Sequence, residues 1–125
     1  MPSKNKIILV AEDEEPLRRV LKDILSFEGY MVLEAVNGEE GLEMILKEHP
    51  DLVLLDIVMP KMDGLTLLKK LREDEWGKTA NVVILTNLSD NEEVTKTADR
   101  EGIPCFVKTD IKINQVIEKI KERLS

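Results

Sequence analysis

Short apolar runs recur along the chain and are separated by longer amphipathic stretches. The runs occupy residues 7–10, 31–33, 52–55, 82–85 and 105–107. Most of them lack the alternation of a strand that faces water on one side, and continuous runs of this kind are typical of parallel strands covered on both faces. The pattern therefore predicts five strands of a parallel sheet that is covered by helices.

The stretches between the runs carry apolar residues at the three- and four-residue spacing of amphipathic helices. There are five such stripes: Leu17, Val20, Leu21, Ile24 and Leu25; Leu42, Ile45 and Leu46; Leu65, Leu68 and Leu71; Val94 and Ala98; and Ile113, Val116, Ile117, Ile120 and Leu124. Residues 89–92 match a capping box and predict the start of the fourth helix. Because its stripe is thin, we expect this helix to be held less tightly than the others. The alternation predicts a doubly wound α/β fold in one domain over residues 1–125.

Composition narrows the class of protein. The chain has 125 residues, a net charge of −7 and one cysteine, Cys105, which lies in an apolar run and predicts a buried structural thiol. No apolar stretch approaches the roughly 20 residues of a membrane span, and residues 1–6 lack a signal-peptide pattern, so we expect a cytoplasmic protein without membrane contact. The basic residues form no stripe, which argues against direct nucleic-acid binding and favours protein partners.

Residues capable of chemistry follow four of the predicted strands. Glu12 and Asp13 come after the first run, Asp56 after the third, Thr86 after the fourth and Lys108 after the fifth. In open parallel sheets the ligand site lies beyond the carboxyl ends of the strands, so we expect these side chains to converge. Two carboxylates about 4 Å apart repel each other by roughly 4 kcal/mol at an effective dielectric of 20, which calls for a cation between them.

A hard divalent cation suits such a site. Mg²⁺ commonly uses one or two carboxylates together with water and a phosphate oxygen. With a metal, the Lys108 ammonium and the Thr86 hydroxyl in place, the charge of a transferring phosphoryl group can be neutralised from three directions. Asp56 ends the middle and most apolar run and is the natural nucleophile, because carboxylates are established phosphoryl acceptors.

These residues, in this order and spacing, closely resemble the receiver domain of two-component response regulators. The most specific part is the stretch 56–64, Asp-Ile-Val-Met-Pro-Lys-Met-Asp-Gly, taken with its partners Glu12, Asp13, Thr86 and Lys108. The resemblance covers residues 6 to 124. It implies a flavodoxin-like (βα)5 fold with strand order 2-1-3-4-5, and a signalling module that assists its own phosphorylation and dephosphorylation instead of turning over a substrate.

The same resemblance implies roles for individual residues. Asp56 would receive a phosphoryl group from a sensor histidine kinase or a histidine phosphotransfer protein. Asp13, Asp56 and the backbone carbonyl of Val58 would hold Mg²⁺ or Mn²⁺, with Glu12 acting mainly through water. Thr86 and Lys108 would bind the phosphoryl oxygens.

The resemblance also implies how the signal leaves the domain. Thr86 would move toward the phosphoryl group and Phe106 would turn inward, which would change the face made by the fourth helix, the fifth strand and the fifth helix. The receiver of that signal would be a downstream protein target or an output domain. We expect a monomer or a weak, phosphorylation-dependent dimer.

Three positions depart from the family pattern. Thr109 follows Lys108 where the family usually has a proline with a cis bond, and because a non-proline cis bond costs roughly 2.5–4 kcal/mol we expect a trans bond and a differently shaped loop. Asn87 replaces the small residue that usually follows the switch threonine. Phe106 lacks the hydroxyl of the commoner tyrosine and is expected to prefer a buried position.

The expected lifetime of the phosphorylated state rests on two further positions. In the family, the residues two after the acceptor and two after the switch threonine influence how water reaches the phosphoaspartate. Here these are Val58 and Leu88, neither of which can orient water. We therefore expect slow self-dephosphorylation.

Three alternatives remain open at this stage. A phosphatase of haloacid-dehalogenase type also uses an aspartate nucleophile with Mg²⁺, but it would need a second acid where Val58 stands. A flavin or dinucleotide binder shares the architecture, but the first turn, residues 11–15, is acidic where a glycine-rich phosphate cradle belongs. A receiver-like interaction module that never accepts phosphate is the third alternative. For Phe106 itself, the alternative to a switch role is a purely structural place in the core.

Overall fold

The computed structural model describes residues 6–87 and 92–125, and in them five parallel strands form one sheet in the order β2-β1-β3-β4-β5. The strands are β1 (Ile7–Ala11), β2 (Met31–Ala35), β3 (Leu52–Asp56), β4 (Val82–Thr86) and β5 (Cys105–Val107). The helices are α1 (Glu15–Phe27), α2 (Gly38–Glu48), α3 (Gly64–Glu73), α4 (Glu92–Glu101) and α5 (Ile113–Leu124). The predicted strand order and the doubly wound, flavodoxin-like class are confirmed.

The core has two layers, one on each face of the sheet. On one face Leu21 and Leu25 of α1 pack with Val116, Ile117 and Ile120 of α5. On the other face lie buried residues of α2, α3 and α4: Ile45, Leu67, Leu68, Leu71, Val94 and Ala98. Successive residues of a strand enter opposite layers, which is why the central strands read as unbroken apolar runs.

The two edge strands are less covered than the central three. Met31, at the start of β2, is 58% exposed. Cys105 begins β5, a three-residue strand at the edge of the sheet. It pairs with Ile84 of β4, and its side chain is exposed. The prediction of a buried structural thiol was therefore wrong. The apolar run does form a strand, but the neighbouring elements cover the side chains of an edge strand only in part.

Short polar side chains cap the starts of α2 and α3. The Asn37 Oδ1 accepts a hydrogen bond from the backbone N–H of Glu40 at 2.8 Å, and the Asp63 Oδ1 accepts one from Thr66 at 2.7 Å. Both satisfy amides that the first turn of a helix leaves free. Residues 88–91, which carry Leu88 and most of the predicted capping box, lie outside the described residues.

Helix α4 buries little of itself. Its buried residues are Val94, Thr97 and Ala98, whereas α5 buries three branched apolar side chains. The predicted thin apolar face of α4 is thus confirmed. Among the described residues, no helix is long and apolar enough to cross a membrane.

Candidate functional site

The carboxyl ends of the strands bring three carboxylates together. Glu12 follows β1 directly and Asp56 is the last residue of β3; both are fully buried, whereas Asp13 is exposed. One carboxylate oxygen from each of the three lies within 4.8 Å of the others. The adjacent pairing of β1 and β3, with Ala11 opposite Leu55, places these ends side by side.

Lys108 reaches this cluster from the end of β5. Its Nζ lies 2.9 Å from Glu12 Oε1 and 3.3 Å from Asp56 Oδ2, and it also contacts Glu14 Oε1. The Lys108 side chain is only 6% exposed. A buried ammonium so placed offsets part of the repulsion among the carboxylates. It does not offset all of it, because four acids (Glu12, Asp13, Glu14 and Asp56) surround this one base.

The surroundings of the cluster shift the pKa values of Asp56 and Lys108. Burial, followed by the charge of Glu12, raises the pKa of Asp56 to about 7, and Lys108 counteracts this only in part. Desolvation alone lowers the pKa of Lys108, but its hydrogen bonds to Glu14 and Glu12 and the charge of Asp56 outweigh that effect and raise the pKa above its ordinary value. The pKa of Asp56 is thus close to neutral pH, whereas Lys108 stays positively charged.

Two oxygens of the cluster have no hydrogen-bond partner among the described residues. They are Asp56 Oδ1 and Glu12 Oε1, the second of which lies near Lys108 Nζ without hydrogen-bond geometry. Buried carboxylate oxygens without donors are costly, and hard oxygen atoms are the ligands that Mg²⁺ and Mn²⁺ prefer. The donor set of Glu12, Asp13 and Asp56 therefore fits a hard divalent cation.

The loop after Asp56 is held in place by close backbone contacts. The N–H of Ile57 donates to the carbonyl of Leu85 at 3.1 Å, and the N–H of Gly64 donates to the carbonyl of Ile57 at 2.7 Å. A Cβ atom at Gly64 would lie 2.3 Å from the carbonyl oxygen of Asp56, so only glycine fits there. Asp63 caps α3, so the final Asp-Gly of the 56–64 stretch shapes the site without lining it.

The remaining predicted site residues lie at the same edge or close to it. Thr86 ends β4, is 4% exposed, and directly follows Leu85, the residue paired in register with Asp56. Phe106 is half-buried and packs against the α1–α5 layer. Val58 is 61% exposed. The Lys108–Thr109 peptide bond is trans, as expected, and Lys108–Asp110 form a 3-10 turn.

Sequence reasoning missed two residues that support the site. Glu14 contacts Lys108, and its own backbone N–H donates to Glu12 Oε2 at 2.9 Å. Arg18 donates from a terminal guanidinium nitrogen to the carbonyl of Glu12 at 3.0 Å and from Nε to Glu34 at 3.2 Å. The acidic run 12–15 was a signal for Glu14, but a run of acids at a helix start is equally explained by the helix dipole.

The chain belongs to the response regulator receiver domain family, whose model matches residues 8–121. It is 30% identical over 120 residues to sporulation initiation phosphotransferase F of Bacillus subtilis, covering 96% of this chain and 94% of that protein. It is 45% identical over 83 residues to the probable transcriptional regulator ycf27 of Porphyridium aerugineum, covering 66% of this chain but only 33% of that protein.

A solved structure with the same fold is the response regulator protein TrrA from Thermotoga maritima, determined in complex with Mg²⁺-BeF. The TM-score is 0.80 at 34% identity, with 95% of this chain and 99% of that chain covered. The chain therefore spans nearly the whole of some relatives and about a third of the transcriptional regulators it matches. It is a receiver domain of two-component systems, and the phosphatase alternative is not favoured.

Proposed function

We propose that Asp56 is the phosphoacceptor of this receiver domain and that Glu12, Asp13, Asp56 and the Val58 carbonyl bind Mg²⁺ or Mn²⁺ for that reaction. The observation that carries the proposal is the pairing of a fully buried Asp56 with Lys108 at 3.3 Å, next to two carboxylate oxygens without donors. A merely structural aspartate at a strand end needs neither a buried ammonium nor two further acids.

The proposed reaction moves a phosphoryl group from a phosphohistidine to Asp56. An Asp56 oxygen attacks phosphorus, a P–O bond forms and the P–N bond breaks, and the bonding electron pair stays on the histidine nitrogen. Lys108 and the Thr86 hydroxyl offset the charge on the phosphoryl oxygens, which is the main contribution a protein makes to such transfers. When bound, the divalent cation supplies further positive charge to the carboxylates and the phosphoryl oxygens.

The signal then has to leave the buried site. We propose that Thr86 and Phe106 move together, because β4 and β5 are neighbours and Thr86 pairs in register with Val107, the residue after Phe106. Helix α4 directly precedes β5 along the chain, and its buried side chains are one valine, one threonine and one alanine, so it can shift at low cost. The face of α4, β5 and α5 would thus change its shape when Asp56 is phosphorylated.

The partners follow from this chemistry. A sensor histidine kinase or a histidine phosphotransfer protein would supply the phosphoryl group in the cytoplasm, and a protein target or an output domain would read the altered face. We propose that residues 1–125 act as one receiver domain, as a monomer or a weak phosphorylation-dependent dimer. The domain assists its own phosphorylation and dephosphorylation and does not turn over a separate substrate.

Transfer from labelled phosphohistidine tests the proposal. Phosphorylated kinases or phosphotransfer proteins are mixed with the wild-type chain and with Asp56→Asn, in Mg²⁺ and in a chelator, and acetyl phosphate serves as a donor that needs no docking. We expect label on the wild-type chain only in Mg²⁺ and none on the variant. A folded wild-type chain that takes no label from any donor would support the interaction module that never accepts phosphate, and repeated release of inorganic phosphate from small substrates would support a phosphatase.

A further inference from the structure

The outermost contact of the buried cluster is the ion pair between Glu14 and Lys108. Exposure increases outward along this chain of contacts: Asp56 has no accessible surface, the Lys108 side chain is 6% exposed and the Glu14 side chain is 56% exposed. Glu14 is therefore the most solvent-exposed of the acids that contact Lys108.

The ammonium of Lys108 has no free donor in this arrangement. It carries three N–H groups, and the structure gives it three acceptors: Glu12 Oε2 at 3.0 Å, Asp56 Oδ2 at 3.3 Å and Glu14 Oε1. A lysine that binds a phosphoryl oxygen must release one of these three. Glu12 is fully buried and Asp56 is the acceptor itself, so Glu14 is the partner that water can solvate after release.

We propose that Glu14 is a positioning residue that holds Lys108 in the unphosphorylated state and competes with the phosphoryl group for its ammonium. The inference rests on the proposed function, because it assumes that Lys108 binds phosphoryl oxygens at Asp56. Glu14 touches neither reacting atom and acts through Lys108. Its charge also adds to the negative potential of the cluster, which an incoming anion must overcome, so its removal favours phosphoryl binding in two ways.

The test measures binding of a phosphoryl analogue with the cation site saturated. Beryllofluoride is titrated calorimetrically into the chain in excess Mg²⁺, so that any change in cation affinity does not enter. The variants are Glu14→Gln, which removes the charge at constant size, and Glu14→Asp, which keeps the charge. The matched control is Glu15→Gln, an equal charge change at the next position, where the exposed carboxylate pairs only with Arg19 at 3.1 Å among the described residues.

We expect Glu14→Gln to bind beryllofluoride about three- to tenfold more tightly than the wild-type chain. This range lies between the energy of a screened ion pair and that of a charge-assisted hydrogen bond. Glu15→Gln should stay within about twofold, and Glu14→Asp should lie between the wild-type chain and Glu14→Gln. With acetyl phosphate, the half-saturating concentration should fall more than the maximal rate changes. A gain in affinity is diagnostic, because a damaged fold can only weaken binding.

Two results would overturn the inference while leaving the proposed function intact. One is unchanged or weaker beryllofluoride binding by Glu14→Gln beside a wild-type chain that binds it. The other is an equal gain in Glu15→Gln, which would reduce the effect to net charge. A folded wild-type chain that binds no beryllofluoride in Mg²⁺ and takes no phosphoryl group would contradict both the inference and the proposed function.

Discussion

Replacing Asp56 with asparagine should stabilise the cation-free protein, although it removes the proposed acceptor. The carboxylate is fully buried beside Glu12, and Asp56 Oδ1 has no donor among the described residues. Asparagine has nearly the same shape, carries no charge, and can donate its amide N–H to a neighbouring carboxylate oxygen. The substitution thus removes a buried like-charge repulsion at almost constant volume.

The magnitude follows from the pKa of Asp56. Burial and the charge of Glu12 raise it from 3.8 in the unfolded chain to about 7 in the folded protein. Between these two values the folded protein binds more protons than the unfolded chain, so stability falls as the pH rises through this window. A difference of about three pKa units corresponds to at most roughly 4 kcal/mol of folding free energy, present below pH 4 and lost above pH 7.

Urea unfolding in a chelator at pH values from 5 to 8 measures this effect. The free energy of unfolding of the wild-type chain should fall along the series relative to that of Asp56→Asn, and the variant should be the more stable at pH 8. Asp23→Asn, an exposed position in α1, is the matched control and should follow the wild-type chain. Added Mg²⁺ should stabilise the wild-type chain much more than Asp56→Asn, since binding to the folded state alone raises its stability.

The result that would refute this reasoning is an Asp56→Asn chain with the same pH dependence as the wild-type chain, or with lower stability at pH 8. Either would mean that the Asp56 carboxylate is satisfied in the folded protein without a cation. The repulsion inferred from the buried cluster would then be absent, and with it the physical reason for a metal at this site.

Three further substitutions test other parts of the site. Lys108→Met should lower the free energy of unfolding in a chelator by about 3–5 kcal/mol, because it leaves buried carboxylates without their ammonium, whereas the exposed Lys112→Met should have little effect in the same urea titration. Gly64→Ala should lower the free energy of unfolding by at least about 1–3 kcal/mol, since its Cβ would lie 2.3 Å from a backbone oxygen. This loss should exceed that of Gly102→Ala, where φ is +68° but the added Cβ would have no neighbouring atom within 4 Å, and equal losses would contradict the steric argument. Val58→Asn should speed loss of the phosphoryl group about two- to tenfold, because its amide can form a hydrogen bond of roughly 0.5–1.5 kcal/mol with the attacking water. An unchanged decay rate would count against the influence of residue 58 on how water reaches the phosphoaspartate.

The positions of the central strands could be predicted from the sequence because each of them is buried on both faces, whereas the strand order was implied by the family resemblance. Residues 52–55 and 82–85 have no polar interruption, and both strands extend one residue further, to Asp56 and Thr86. The edges were harder to read. An apolar run such as 105–107 looks the same whether one or two strands flank it, so the exposure of Cys105 depended on the strand order and could not be read from the run.

The site was predictable as a set of residues but not as a network. The rule that strand ends meet at one edge was enough to bring Asp56, Glu12 and Lys108 together. It could not show that Lys108 divides its three donors among three acids, nor that Glu14 is one of them, because that depends on side-chain reach across the edge of the sheet.

Locating the phosphoryl group on the chain tests the central claim most directly. The wild-type protein is incubated with acetyl phosphate in Mg²⁺, reduced with borohydride, which converts a phosphorylated aspartate to homoserine, and mapped by peptide mass. Homoserine at position 56, found in Mg²⁺ and absent when a chelator replaces it, is the predicted result. Homoserine at another aspartate, or equal conversion in the chelator, would contradict the account of Asp56 as a cation-dependent phosphoacceptor.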